Sequence, residues 1–285
     1  MNEAILLDRF FQRVHLHLVG SYSESPRRPL ILGIFGRAGD GKSLQLSTSL
    51  DHCHVHAVRL NAADLESGLA GEPGKHIART YSAASLAVAK GVPTALVVDD
   101  VDTTVGEWEM NTGTVNHQQV LAELMHLADR PVDPDRNRPK RVPIFVTGNN
   151  LNRLYAPLRR HGRMDAFPWR PGPEEVRTVV HGVFAGVADQ PALDKLAAEF
   201  VDEPLSFFAQ VRHLLAEAEI AGNLHHVGLD MRAFLRRLGP GQRAAPAPRK
   251  VAYEDLIATA RRLKAESSNA LHDFLQPDPS VKEIR

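Results

Sequence analysis

Cysteine is almost missing from this sequence, neither sign of charge is in excess, and no long apolar run or internal repeat is present. The single Cys53 excludes an intrachain disulfide and any zinc cage built on thiolates. It also fits a reducing compartment, so the cytoplasm is the expected location. Lys plus Arg and Asp plus Glu each number 34, which leaves no overall basic field to hold nucleic acid phosphates or an anionic membrane. Between Met1 and Val19 the apolar residues are interrupted by Asp8, Arg9, Arg13, His15 and His17, so there is neither a signal core nor a spanning segment. No export or membrane anchoring is expected.

What is present is the balance of a folded globular protein: 24% charged and 43% apolar residues over a chain of 285, long enough for one large domain and a smaller one. Residues Ile5 to Leu18 carry apolar side chains at near-helical spacing, which predicts a short amphipathic helix, and Ser21 to Pro29 reads as a linker. Four apolar runs follow, Leu30 to Phe35, Val55 to Leu60, Thr94 to Val98 and Val142 to Val146. They lack polar alternation and are separated by helix-length segments (Lys42 to Leu50, Gly74 to Ala89, Thr114 to Ala128), the pattern of buried parallel strands in an α/β layer. From Pro173 onward only helical patterns occur, at Glu174 to Ala185, Ala192 to Val201, Leu205 to Ile220 and Met231 to Leu238. A Pro, Ala and Gly-rich connector (Gly239 to Lys250) then leads to a last helix at about Tyr253 to Phe274. The expected division is an N-terminal helix and linker over 1–28, an α/β P-loop domain with a parallel sheet over 29–172, a smaller helical lid domain over 173–238, and a connector with a C-terminal helix and tail over 239–285.

Gly36-Arg37-Ala38-Gly39-Asp40-Gly41-Lys42-Ser43 matches the phosphate-binding loop pattern, directly after an apolar run and opening a helix. In such a loop Gly36, Gly39 and Gly41 let backbone N–H groups curl around the phosphates of ATP, Lys42 reaches the β and γ oxygens, and the Ser43 hydroxyl ligates Mg²⁺. Asp40 faces the same anion as the loop, and its side chain is expected to point outward. Leu96-Val97-Val98-Asp99-Asp100-Val101-Asp102 has the form of a Walker B segment, with Asp99 as the magnesium residue and Asp100 as the group that positions or polarises the attacking water. Val146-Thr147-Gly148-Asn149 ends the fourth run in a way that resembles the polar sensor segment of AAA+ proteins, and by that resemblance Asn149 is the candidate sensor of the γ-phosphate or the lytic water. Arg159-Arg160-His161-Gly162-Arg163 is a basic cluster at a position that suits arginine fingers supplied in trans. His52-Cys53-His54-Val55-His56 has a spacing that suits a metal but reads better as a polar strand entrance, and Arg136, Arg138, Lys140 and Arg141 read as a solvated basic loop among acidic residues.

Read together, these residues resemble Rubisco activase, an AAA+ family, from roughly Phe10 to Arg212. The similarity is densest at Pro29 to Gln45 (PLILGIFGRAGDGKSLQ), Val142 to Asn149 (VPIFVTGN), Leu154 to Phe167 (LYAPLRRHGRMDAF) and Leu65 to Lys75 (LESGLAGEPGK). The last of these resembles that family's first central-pore loop and has no aromatic residue. The resemblance implies that Arg160 and Arg163 are the trans-acting arginines, that Ser206 to Arg212 is a sensor-2 helix from which Arg212 reaches the nucleotide, and that the chain works as a ring-shaped homo-oligomer, by family habit a hexamer. It further implies a chaperone-like remodeller whose client is Rubisco holding an inhibitory sugar phosphate. Departures are Thr103 to Asn116, which carries Trp108 and two acids where the second pore loop belongs, and an N-terminal region shorter than that of plant activases. An AAA+ ATPase with another protein client, a helicase or clamp-loader type, which the neutral charge balance opposes, and a nucleotide-gated scaffold that scarcely turns over remain as alternative classes.

Overall fold

The computed structural model describes residues 5–23, 28–60, 72–101, 115–222, 231–237 and 250–275. It forms two compact units, Met1–Pro171 and Gly172–Arg285.

The first unit opens with α1 (Asp8–Tyr22), followed by β1 (Ile31–Phe35), α2 (Lys42–His52), β2 (His56–Leu60), α3 (Glu72–Ala89), β3 (Thr94–Val98), α4 (Val115–Asp129), β4 (Ile144–Gly148) and β5 (Met164–Pro168). The strands make one sheet in the order β2-β3-β4-β1-β5, and every neighbouring pair is parallel. β1, β3 and β4 are buried along their whole length, as expected for strands covered by helices on both faces. Their C-terminal ends lie side by side, which is where an open parallel sheet places its ligands. One face is packed by α3 and α4, whose Ile77, Tyr81, Val120 and Leu124 join Leu96, Val98, Ile144 and Val146 in a single core.

β5 is a strand the apolar runs did not announce. It is the edge next to β1, only its first residue is buried, and its last is Pro168, a residue that edge strands tolerate because no neighbour needs its missing N–H. α1 starts three residues later than the periodicity predicts and continues through Ser21 and Tyr22 of the expected linker. It is no appendage. Gln45 of α2 accepts from the Leu7 amide at 3.0 Å and donates to the Ile5 carbonyl at 2.7 Å, satisfying backbone groups at the helix entrance. Phe10, Val14 and Leu18 are buried, and Arg13 pairs with Asp165 on β5.

The basic loop before β4 is not solvated as expected. Arg138 is buried beside Glu123 (3.4 Å) and the Tyr81 ring, and Arg141 donates to the Arg28 carbonyl at 2.8 Å. A bridge between Asp133 and Arg138 folds the loop back, so that only part of its charge faces water. The His52 to His56 run is also divided, because His52 ends α2, His54 turns the chain with φ 53°, and His56 opens β2. No metal-holding cluster of His, Cys, Asp or Glu occurs among the described residues.

The second unit consists of helices α5 (Pro173–Val183), α6 (Gln190–Glu199), α7 (Leu205–Gly222), α8 (Met231–Arg237) and α9 (Tyr253–Leu275). α6 begins at an Asp189 N-cap whose carboxylate accepts from the Ala192 amide. Val180, Leu196, Phe208 and Leu256 are fully buried between these helices. Arg261 of α9 is held by Glu199 of α6 at 2.7 Å.

Candidate functional site

The loop between β1 and α2 is shaped by neighbours that leave no freedom. Gly36 passes so close to the end of β5 that a Cβ there would lie 2.0 Å from the Trp169 carbonyl oxygen. Trp169 completes the clamp, since its amide donates to the Phe35 carbonyl at 2.6 Å and its indole Nε1 to the Asp40 carbonyl at 2.8 Å. Gly39 lies at the turn of the loop, and Gly41 is the N-cap of α2 with φ 77°, a left-handed conformation that side chains disfavour. Lys42 is nearly buried. Its ammonium donates to the Gly36 and Arg37 carbonyls at 2.7 and 3.0 Å and to Asn149 Oδ1 at 2.9 Å, so the structure brings the Lys42 and Asn149 side chains together.

The outward orientation expected for Asp40 is incorrect. Its side chain is fully buried, Oδ1 accepts from Arg37 Nε and Nη2 at 3.3 and 3.0 Å, and Oδ2 has no hydrogen-bond partner among the described residues. The chain reverses between two glycines with positive φ, which turns the carboxylate into the protein, and Arg37 neutralises it there. The phosphate-facing side of the loop is therefore spared a negative charge.

Asp99 and Asp100 follow β3 and are organised by two residues to which the sequence pattern assigns no role, Thr147 and Arg59. Thr147 of β4, fully buried, donates from Oγ1 to Asp99 Oδ1 at 3.0 Å and accepts the Asp100 amide at 3.1 Å. Arg59 of β2 donates to Asp99 Oδ2 at 2.5 Å and to Ser47 Oγ of α2 at 2.6 Å, tying the Walker B acid to the P-loop helix. An arginine in a strand reading HAVRL was the available signal, since a lone cation there needs a counterion. Asp100 is exposed and takes φ 50°, an unusual conformation for a residue with a side chain, which aims it away from the strand line. Ser43 is exposed on the first turn of α2. Ser43 and Asp99 supply a hydroxyl and a carboxylate, the oxygen donors that Mg²⁺ prefers, and the helix entrance with Lys42 beside it suits polyphosphate.

The basic cluster separates into two environments. Arg160 is exposed, whereas Arg163 grips Asp129 with two bonds of 2.7 Å. That pairing holds the Asp129 carboxyl below its ordinary range and raises the Arg163 guanidinium above its own, the shared hydrogen bonds being the largest cause in both. Arg212 lies half-buried on α7 of the second unit, next to the buried Val211. The run Leu65 to Gly71, Asp102 and the segment 103–114 lie outside the described residues, while Glu72 and Pro73 open α3.

Comparison with known proteins agrees with the α/β fold of this unit. The model of the ATPase family associated with various cellular activities (AAA) matches residues 32–171. The ribulose bisphosphate carboxylase/oxygenase activase of Anabaena sp. (strain CA / ATCC 33047) is 36% identical over 234 residues, covering 78% of this chain and 56% of that protein. The chloroplastic activase of Zea mays is 34% identical over 273 residues, covering 91% of this chain and 62% of that protein. The chloroplastic activase of Vigna radiata var. radiata is 36% identical over 232 residues, covering 78% and 53%. The chain thus spans little more than half the length of the curated relatives it matches.

Proposed function

Residues 32–171 belong to the AAA family of ATPases in a chain that is Rubisco activase-like in sequence, and from that premise we propose that the protein hydrolyses ATP in a homo-oligomeric ring to remodel a protein client. The observation that carries this reading is the convergence on one sheet edge of Lys42, Asn149 and the Asp99 carboxylate, each held by named partners. The ring we infer is a hexamer, the compartment the cytoplasm, and the client Rubisco blocked by an inhibitory sugar phosphate. Among the described residues no helix is long and apolar enough to cross a membrane.

In this reading residues 29–172 bind the nucleotide and 173–238 act as its lid, with Arg212 reaching the phosphates. Lys42 exchanges its bonds to the Gly36 and Arg37 carbonyls for the β and γ oxygens of ATP, so the ammonium is already desolvated and placed when substrate arrives. Ser43 and Asp99 would hold Mg²⁺, which when bound neutralises charge on the phosphate oxygens. Asp100 orients a water against the γ-phosphorus and polarises its O–H, while Asn149 fixes that water or the γ-phosphate. Arg160, from the neighbouring subunit, stabilises the charge that develops as the bond to the leaving diphosphate breaks. Because each site borrows a finger from its neighbour, hydrolysis requires assembly.

The test uses Rubisco of the same organism inhibited by a tight-binding sugar phosphate. With ATP, the parent protein restores carboxylation and the Asp100→Asn variant does not, although it retains the client on the ring. ATP hydrolysis with no restored carboxylation sinks the client assignment alone, and stimulation of hydrolysis by DNA points to the nucleic acid class.

A further inference from the structure

The turn that presents Arg160 is fastened to its own subunit, and Arg163 is the fastener. Its Nε and Nη2 donate to Asp129 Oδ1 and Oδ2 at 2.7 Å each, and its Nη1 donates to the Pro157 carbonyl at 2.9 Å. The Arg163 amide closes the turn on the Arg160 carbonyl at 3.1 Å, and the Arg163 carbonyl then accepts from Ile31 at the start of β1. Asp129 is the last residue of α4, the helix that follows the Walker B segment in sequence. Three N–H groups of the guanidinium, spread over both edges of its fork, are thus committed to groups of the same chain. Arg160, three residues earlier, is exposed and makes no side-chain hydrogen bond or ion pair with the described residues.

We propose that Arg163 is a positioning residue rather than a second finger: its bidentate pair with Asp129 latches the Arg160 turn onto α4 and so sets where Arg160 meets the neighbour's nucleotide. This rests on the reading of Arg160 as the trans-acting group. A finger must reach across a subunit boundary, and Arg163 would have to surrender three hydrogen bonds, two of them charge-assisted, before doing so. The pair is half open to water, so it adds little to global stability. What it supplies is direction. A planar fork on a carboxylate allows one relative orientation of the two groups, whereas a lysine ammonium in its place would allow many. Misplacing a catalytic group by about an ångström is enough to cost roughly a hundredfold in rate.

The experiment is steady-state ATP hydrolysis by the full chain, with ring assembly followed by sedimentation and thermal midpoints recorded alongside. Four variants are compared: Arg160→Ala, Asp129→Asn, Arg163→Asp, and the exchanged pair Asp129→Arg with Arg163→Asp. The latch predicts that Asp129→Asn lowers kcat by about ten- to a hundredfold at unchanged KM for ATP and an unchanged midpoint. It also predicts that the exchanged pair recovers most of the rate lost in Arg163→Asp. A fully active Asp129→Asn variant, or an exchanged pair as inactive as Arg163→Asp, overturns the proposal and returns Arg163 to the catalytic site. Failure of the underlying reading looks different: Arg160→Ala would then hydrolyse ATP at the parent rate.

Discussion

Replacing Thr147 by Val removes one hydroxyl and little else in shape, and that hydroxyl serves both Walker B acids. It donates to Asp99 at 3.0 Å and accepts the Asp100 amide at 3.1 Å in a fully buried strand. A hydrogen bond to a charged group contributes about 1.5–3 kcal/mol and a neutral one about 1 kcal/mol, so the loss comes to roughly 3 kcal/mol. For a unit of this size each kcal/mol lowers the midpoint by about 2–4 °C, which predicts a fall of about 6–12 °C. Nucleotide binding survives, because Arg59 still holds the other Asp99 oxygen and Lys42 is untouched. Turnover falls, since Asp100 loses the bond that fixes its left-handed backbone; a misorientation costing about 1.4–2.8 kcal/mol is ten- to a hundredfold in kcat. Thr147→Ser keeps the hydroxyl and restores most of the rate. Coupled ATPase assays and thermal melts read both effects. A valine variant with the parent's kcat and a midpoint within about 1 °C would refute the placement of Thr147 as the organiser of this edge.

Three further expectations follow from other parts of the first unit. Lys42→Ala abolishes binding of a fluorescent ATP analogue, while Asp100→Asn binds it and does not turn over; parent-rate hydrolysis by Asp100→Asn would remove that residue from the mechanism. Gly36→Ala drives a methyl against the Trp169 carbonyl at 2.0 Å, so the loop or the end of β5 must move, and the melt should fall by more than about 6 °C; a melt matching the parent would contradict the clamp. His17 is pushed down to about 4, first by burial and next by the Arg13 charge, so between pH 6.5 and 4 the unfolded chain binds the proton that the folded chain refuses. Stability is therefore lost as pH falls through that window, by about 3 kcal/mol, and urea melts of His17→Gln at pH 7 and pH 4.5 should show a correspondingly flatter dependence than the parent.

The sequence was most legible where a ligand dictates spacing. A phosphate chain of fixed size needs glycines, a lysine and a hydroxyl at fixed intervals, so Gly36 to Ser43 could be found without knowing the fold. Asp99 and Asn149 were found because each ends an apolar run, and buried parallel strands place their ends together. β5 was missed for the complementary reason: as an edge strand it has little to bury, and MDAFP carries no apolar run. The environment of Asp40 and of the basic loop could not be read locally either. Asp40 is neutralised by Arg37, whereas Arg138 pairs with Glu123 and Arg141 donates to the Arg28 carbonyl, and only the latter partners are distant in sequence. The burial of Asp40 is not legible in the sequence, because the direction of a side chain between two positive-φ glycines is a property of the backbone, not of the residue.

The residues that hold the site escaped notice for a physical reason that separates them from those that touch the nucleotide. Lys42, Ser43 and Asp99 answer to the chemistry of ATP, which never varies, so few residue types serve at each position. Thr147 and Arg59 answer to a neighbour's hydrogen-bonding group, which a serine, a lysine or an ordered water can also satisfy, and Trp169 answers to packing as well. Their roles are set by the packing of this sheet: Thr147 works because β4 lies between β1 and β3, and Arg59 because β2 ends beside β3. Trp169 is the extreme case. Its indole reaches the Asp40 carbonyl, its ring meets Phe10 edge-on at 4.9 Å, and the Arg9 guanidinium lies over it at 4.6 Å. One side chain from the end of β5, 129 residues from Asp40 in sequence, therefore joins the N-terminal helix to the phosphate loop, a link that exists only once the parallel sheet has brought β5 beside β1.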